Sequence, residues 1–172
     1  MNTGLRDIAT AQGLSTVQET RLFAQTSFAA ADALIACWND KRYWLSWRPH
    51  TAIREAANDG NPDTTADPNW LSLFPTPGYP DQPSGYNCFT QATWYSTRLS
   101  FGTDKMTFRL TSPGAPSGVP VTIPGSTRSY TRFSDVARDT TGLHFRTADV
   151  DGAWIGKKAA QWVDKHEFAP ID

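Results

Sequence analysis

The chain has 172 residues with 16 Lys and Arg against 17 Asp and Glu, a formal net charge of −1 and a charged fraction of 19%. That balance lacks the clustered basic excess that nucleic acid or an anionic membrane surface attracts, so neither is an expected partner. Seven Trp, nine Phe and five Tyr supply the bulk for a core, and a domain of this length buries roughly 70% of its unfolded surface, so a single domain over residues 1–172 is expected.

No apolar run approaches the roughly 18 residues of a membrane span, and Met1-Asn-Thr-Gly-Leu-Arg-Asp7 lacks the basic-then-apolar order of a signal peptide. Nothing in this chain directs insertion or export, and its compartment stays open. Cys37 and Cys88 are too few for a zinc cluster and read as small core fillers.

Residues 4–12 predict a short helix through Leu5, Ile8 and Ala9, closed by Gly13. Thr16-Val-Gln-Glu19 reads as a capping box that starts a long helix. Its apolar stripe of Ala24, Phe28, Ala31, Ile35 and Trp38 is the face expected to be buried. The helix leads to Lys41. Seven residues on stands Arg48, two helical turns away, so both cations would share a face with Trp44 and Leu45 between them. Burying two such charges requires an anion or carboxylates, whereas an exposed basic face packed with Trp explains this stretch equally well by itself. Pro49 predicts an end or a kink in the helix.

Six of the twelve prolines fall between residues 58 and 83, with Asn58-Asp-Gly60 at the start, which excludes regular structure over most of that stretch. A long ordered loop follows, anchored by Trp70, Leu71, Leu73 and Phe74. Phe89, Ala92, Tyr95 and Leu99 then mark a second long helix, closed near Gly102. Ser84 and Gly85 open it. Free backbone N–H groups make that position favourable for an anion by about 0.3–2 kcal/mol, although a plain Ser cap has the same signature. Residues 106–110 and 127–133 predict a small β-hairpin across a 113–125 connection. Ser134 predicts the cap of a short helix, and a last amphipathic helix over about 149–168 puts Ile155, Ala159, Trp162 and Val163 on its buried side. The fold class is mainly α, with one long Pro-rich loop.

Three separated pieces stand out: Lys41 with six residues between it and Arg48-Pro49, then Pro83-Ser84-Gly85, then Arg138 with five residues between it and His144. Together they resemble the superfamily of type-2 phosphatidic acid phosphatases, bacterial non-specific acid phosphatases and vanadium-dependent haloperoxidases. Cys37-Trp-Asn-Asp-Lys41, Arg48-Pro-His-Thr-Ala-Ile-Arg-Glu55, Gly102-Thr-Asp-Lys-Met106 and His144-Phe-Arg-Thr-Ala-Asp149 resemble its bacterial haloperoxidase-like branch, over residues from about 5 to 168. The resemblance implies a helical bundle, truncated on its N-terminal side, that holds vanadate, or phosphate in its place. It implies oxyanion contacts from Lys41, Arg48, Ser84, Gly85 and Arg138, with Arg146 as a rival arginine, and an axial role for His144. The implied small-molecule partners are peroxide and halide, or a phosphoester.

Such donors suit a tetrahedral oxyanion, since Arg offers a planar fork and Lys a point charge. His50 is expected to line the pocket, and His166 to complement the last helix's C-terminal dipole. Tyr86 departs from the pattern, which has His after Ser-Gly as general acid; a phenol donates but hardly serves as a base at neutral pH. Asp149, which would orient His144, stands five residues after it. Helices usual upstream in the branch are not in this chain, so a homo-oligomer is expected to complete the bundle. The expected function is haloperoxidase-like oxidation of halide by hydrogen peroxide, weakened by Tyr86. Phosphomonoester hydrolysis is one alternative, and a catalytically inactive binding or assembly module is another. No Gly-x-Ser-x-Gly elbow, phosphate loop or His-Glu-x-x-His motif competes.

Overall fold

A computed structural model describes residues 1–112, 121–126 and 141–168. In chain order these form α1 (Asn2–Ala11), α2 (Thr16–Trp44), α3 (Pro49–Arg54), a 3-10 turn (Ala56–Asn58), α4 (Gly85–Phe101), β1 (Thr107–Ser112), β2 (Val121–Ser126) and α5 (Arg146–His166). The fold is mainly α, as expected. None of the described helices is long and apolar enough to cross a membrane.

Helices α2, α4 and α5 pack against one another around Ala29, Ala33 and Cys37 of α2, Cys88 and Ala92 of α4, and Ala160 and Val163 of α5. Both cysteines are free thiols in this core. Small side chains at the crossings let the backbones approach closely. The closest approach is at α5, where an added Cβ on Gly156 would meet the Cys88 carbonyl oxygen and lie 2.8 Å from the Ala92 nitrogen. We expect Gly156→Ala to force the helices apart and lower stability by about 1–3 kcal/mol, read as a reduced urea midpoint. An unchanged midpoint would show that the crossing relaxes freely.

Close packing also explains why the expected buried stripe of α2 faces outward. Phe28 is 57% exposed, Ile35 71% and Trp38 50%. Periodicity shows that a helix has an apolar face, but here only the alanine and cysteine face fits the crossing. Trp162 is corrected likewise: it is 53% exposed while its neighbour Val163 is buried. Helix α4 is buried nearly all round, and its Thr93 and Thr97 hydroxyls donate to the Phe89 and Thr93 carbonyls at 2.9 and 2.8 Å.

Other expectations shift by short distances. The capping box is built by Ser15 and Gln18, with the Ser15 N–H donating to Gln18 Oε1 at 2.9 Å, because Ser15 is the extended residue and Thr16 is already helical. The partner of β1 is β2, paired antiparallel from Thr107↔Ser126 to Ser112↔Val121, within the stretch expected as connection. A two-stranded ribbon has free edges on which Pro124 is tolerated. Residues 127–133 and the Ser134 cap lie outside the described residues. In a second cluster, against which Phe23 of α2 also packs, Leu5 and Ile8 of α1 meet Trp94, Met106 and Phe108, and the Trp94 and Phe108 rings stack at 4.3 Å.

The loop over 58–83 is ordered, and of its expected side-chain anchors Trp70 packs inward while the other three do not. Trp70 lies where a Cβ on Gly142 would stand, 2.7 Å from its ring, and Gly142 has φ +71. The Leu73 N–H donates to the Thr141 carbonyl at 3.0 Å. Side chains of Leu71, Leu73 and Phe74 stay exposed.

Candidate functional site

Lys41 and Arg48 do not share one helix. Leu45 ends α2 in the left-handed region at φ 45, and Arg48 is the extended N-cap of α3, with Pro49 in the first helical turn. Pro49 biases the residue before it away from helical torsions, so α2 cannot run on through Arg48. Trp44 and Leu45 are exposed at this break, while Lys41 and Arg48 are each only 3% exposed.

What brings the two cations together is the strap over 79–83. The Lys41 ammonium donates to the carbonyls of Pro80 and Asp81 at 2.8 and 2.9 Å. The Arg48 guanidinium donates to the Tyr79 carbonyl at 2.8 Å and to that of Leu143 at 2.9 Å. Between them sits the Tyr79 ring, 5.1 Å from Lys41 Nζ and 4.8 Å from Arg48 Cζ, an arrangement in which a π-face faces each charge.

Asp81 is the hub, and sequence reasoning missed it. Its N–H donates to the Ser46 carbonyl, its own carbonyl accepts from Lys41, and its carboxylate accepts from His144 Nδ1 at 2.5 Å and from the Phe145 N–H at 3.1 Å. Both partners are buried. Donation by Nδ1–H fixes the ring's tautomer and raises its basicity, so chemistry at this imidazole runs through Nε2. The residue that orients His144 is therefore Asp81. Asp149, given that role by the resemblance although its spacing departs from the pattern, lies in the first turn of α5, where its carbonyl accepts from Asn87 at 3.1 Å. A lone carboxylate two residues before Pro83-Ser84-Gly85 was the only available signal.

Ser84 caps α4 with its N–H donating to the Ala148 carbonyl at 2.8 Å, tying the start of α4 to α5. Its hydroxyl is fully buried and has no hydrogen-bond partner among the described residues. At Gly85 an added Cβ would lie 2.8 Å from the Trp38 ring, which explains the absence of a side chain there. Tyr86 follows, 39% exposed. His50 and His166 are placed differently from this group: His50 pairs with Arg54 at 3.2 Å, and His166 stacks on Trp162 at the far end of α5. Arg138 lies outside the described residues, and Arg146 opens α5 as an exposed side chain.

Two buried cations face one buried carboxylate, and the N-termini of α4 and α5 add positive potential. Among the described residues no group of three metal-ligating side chains converges. Burial is the largest influence on Lys41 and pushes its ammonium below the ordinary 10.5; Cys37 opposes that, Arg48 adds to it and Asp81 opposes it. Between the lowered value and 10.5 the unfolded chain binds more protons, so stability without ligand rises with pH there, while affinity for an anion falls as the charge is lost. We expect the stabilisation by phosphate to disappear at a pH below the ordinary lysine range, and Lys41→Arg to carry it higher. Calorimetric titration from pH 7 to 11 checks this; identical profiles would exclude Lys41 as a contact.

The family described as VCPO second helical-bundle domain matches residues 21–172. The chain belongs to that family. Vanadium chloroperoxidase of Curvularia inaequalis is 35% identical over 88 residues, which are 45% of this chain and 14% of that protein. The crystal structure of a bacterial vanadium-dependent iodoperoxidase shares the fold at a TM-score of 0.78 and 23% identity, covering 94% of this chain and 37% of that one. The holo-type bacterial vanadium-dependent chloroperoxidase gives 0.63 and 26%, covering 84% and 34%. This VCPO-family chain thus spans 37% or less of the length of each of these relatives.

Proposed function

We propose that the chain binds vanadate, or phosphate in its place, among Lys41, Arg48, Ser84, Gly85 and His144, and that it supports halide oxidation by hydrogen peroxide. The observation that carries this reading is the buried, unpartnered hydroxyl of Ser84 at the start of α4, close in the chain to the strap that gathers Lys41, Arg48 and His144. An unpaired buried hydroxyl costs about 1–3 kcal/mol, which an oxyanion's acceptors would relieve. The donor set fits vanadate: cations and a hydroxyl for its oxygens, and one imidazole nitrogen held by a carboxylate. When bound, vanadate supplies a Lewis-acid centre that activates peroxide toward a halide. The chain's own groups bind and neutralise it, and the Arg138 segment is proposed to add a further cation. Vanadate titration of wild type and His144→Ala tests the site.

Tyr86 favours a second reading, a module that binds the oxyanion without turnover, because the position after Ser84-Gly85 holds a phenol in place of an imidazole. The outward stripe of Phe28, Ile35 and Trp38 supports a homo-oligomer, since contiguous apolar patches of several hundred Å² mark contact surfaces. Light scattering at micromolar concentration should show a dimer or larger and Ile35→Lys a monomer; a monomeric wild type would remove the proposal.

A further inference from the structure

The two cysteines meet where α2 crosses the start of α4. Cys37 stands one turn before Lys41 on α2, and Cys88 one turn after Ser84 on α4. Gly85 and Cys88, three residues apart, share a face of α4. That face looks at Cys37, because a Cβ added to Gly85 would lie 3.8 Å from Cys37 Sγ. The Cys37 thiol donates to the Pro83 carbonyl at 3.7 Å and accepts from the thiol of Cys88. Both are free and fully buried. Gly156 seats α5 against the Cys88 carbonyl, so α4 is held onto α2 and the two sulfurs are kept together. Packing alone would ask only for two small apolar groups here, as alanines supply elsewhere in this core. Cover over the pair is thin: Gly85 puts no side chain over Cys37 Sγ, and the Trp38 ring that packs there is 50% exposed. A shift of that indole opens the pair to a molecule as small as hydrogen peroxide.

We propose that hydrogen peroxide oxidises Cys37 and Cys88 to a disulfide that staples α2 to the start of α4. Because Cys88 donates to it and the Lys41 ammonium stands one turn on, Cys37 has the more thiolate character and attacks first. Its sulfur takes one peroxide oxygen, the O–O bond breaks, and the hydroxide that leaves is protonated to water. Cys88 sulfur then attacks the Cys37 sulfenic acid and the S–O bond breaks. The second hydroxide leaves as water with the Cys88 proton (2 RSH + H2O2 → RSSR + 2 H2O). Two sulfurs lose one electron each, and two oxygens gain one each. Peroxide is also the oxidant of the function proposed above, but this step uses neither vanadate nor halide and stands without that function.

The test treats the reduced full chain, free of vanadate and halide, with a small molar excess of hydrogen peroxide, stops it with catalase, and unfolds it in iodoacetamide for mass spectrometry. A loss of about 2 Da is expected, with neither thiol alkylated and the tryptic peptides 22–41 and 55–98 joined until dithiothreitol parts them. In Cys88→Ser, Cys37 should stop at the sulfenic acid and take up dimedone; in Cys37→Ser, Cys88 should take up none. The oxidised wild type should melt about 5–10 °C above the reduced one. Two thiols still alkylated after peroxide, a gain of about 32 Da on one cysteine with no link, or a link only between chains would overturn the proposal. So would a lower melting point in the linked chain, since the bond would then form only by opening the core.

Discussion

Tyr86→His is expected to raise turnover of bromide or iodide oxidation by about 10²-fold or more, with vanadate affinity nearly unchanged. Tyr86 follows Ser84-Gly85 at the start of α4 and is 39% exposed, so an imidazole fits there without disturbing the core. The donors proposed for vanadate lie elsewhere, on Lys41, Arg48 and Ser84, which is why affinity should hold. A positioned general acid or base contributes typically 10²–10⁴-fold, and an imidazole titrates near neutrality where a phenol does not. Bromination of a dye and release of phosphate from a monoester, assayed side by side, separate peroxidase from phosphatase. If the variant binds vanadate and stays silent in both, proton transfer was not the missing step and the binding-module reading stands.

The parts legible in the sequence are those in which residue type and spacing carry the chemistry themselves. Lys41, Arg48, Ser84, Gly85 and His144 were singled out because the three pieces that hold them, taken together, resemble the haloperoxidase and phosphatase superfamily; each piece alone had an ordinary structural explanation. Helices α1, α2, α4 and α5 were legible from apolar period and caps. The sidedness of α2 was not. A period of 3.6 marks Phe28, Ile35 and Trp38 as a stripe, but the choice of inner face belongs to the partner helices, and the core that α4 and α5 offer is met by Ala29, Ala33 and Cys37. Asp81 was hidden for a different reason. It lies in a proline-rich strap with no periodicity, and its importance arises from what folding brings to it: Ser46, Lys41, His144 and Phe145 from three separate segments.

That convergence sets the last expectation, in which Asp81→Asn weakens vanadate binding by about 10–100-fold and His144→Ala abolishes it. Asparagine keeps the shape and can still accept from Nδ1–H, but it removes the negative charge that raises the basicity of Nε2; losing such a supporting carboxylate typically costs that range in affinity. It also sets an amide donor or a reoriented amide against the Phe145 N–H, now 3.1 Å from Oδ2, so circular dichroism must accompany the titration. Binding to the folded state alone stabilises it by about 2.7 kcal/mol at a hundred times the dissociation constant, and Arg48→Ala should lose most of that shift. A folded Asp81→Asn protein with wild-type vanadate affinity would mean that the His144–Asp81 contact serves only to hold the strap. Unchanged melting of the wild type in millimolar vanadate and in millimolar phosphate would remove the oxyanion site itself.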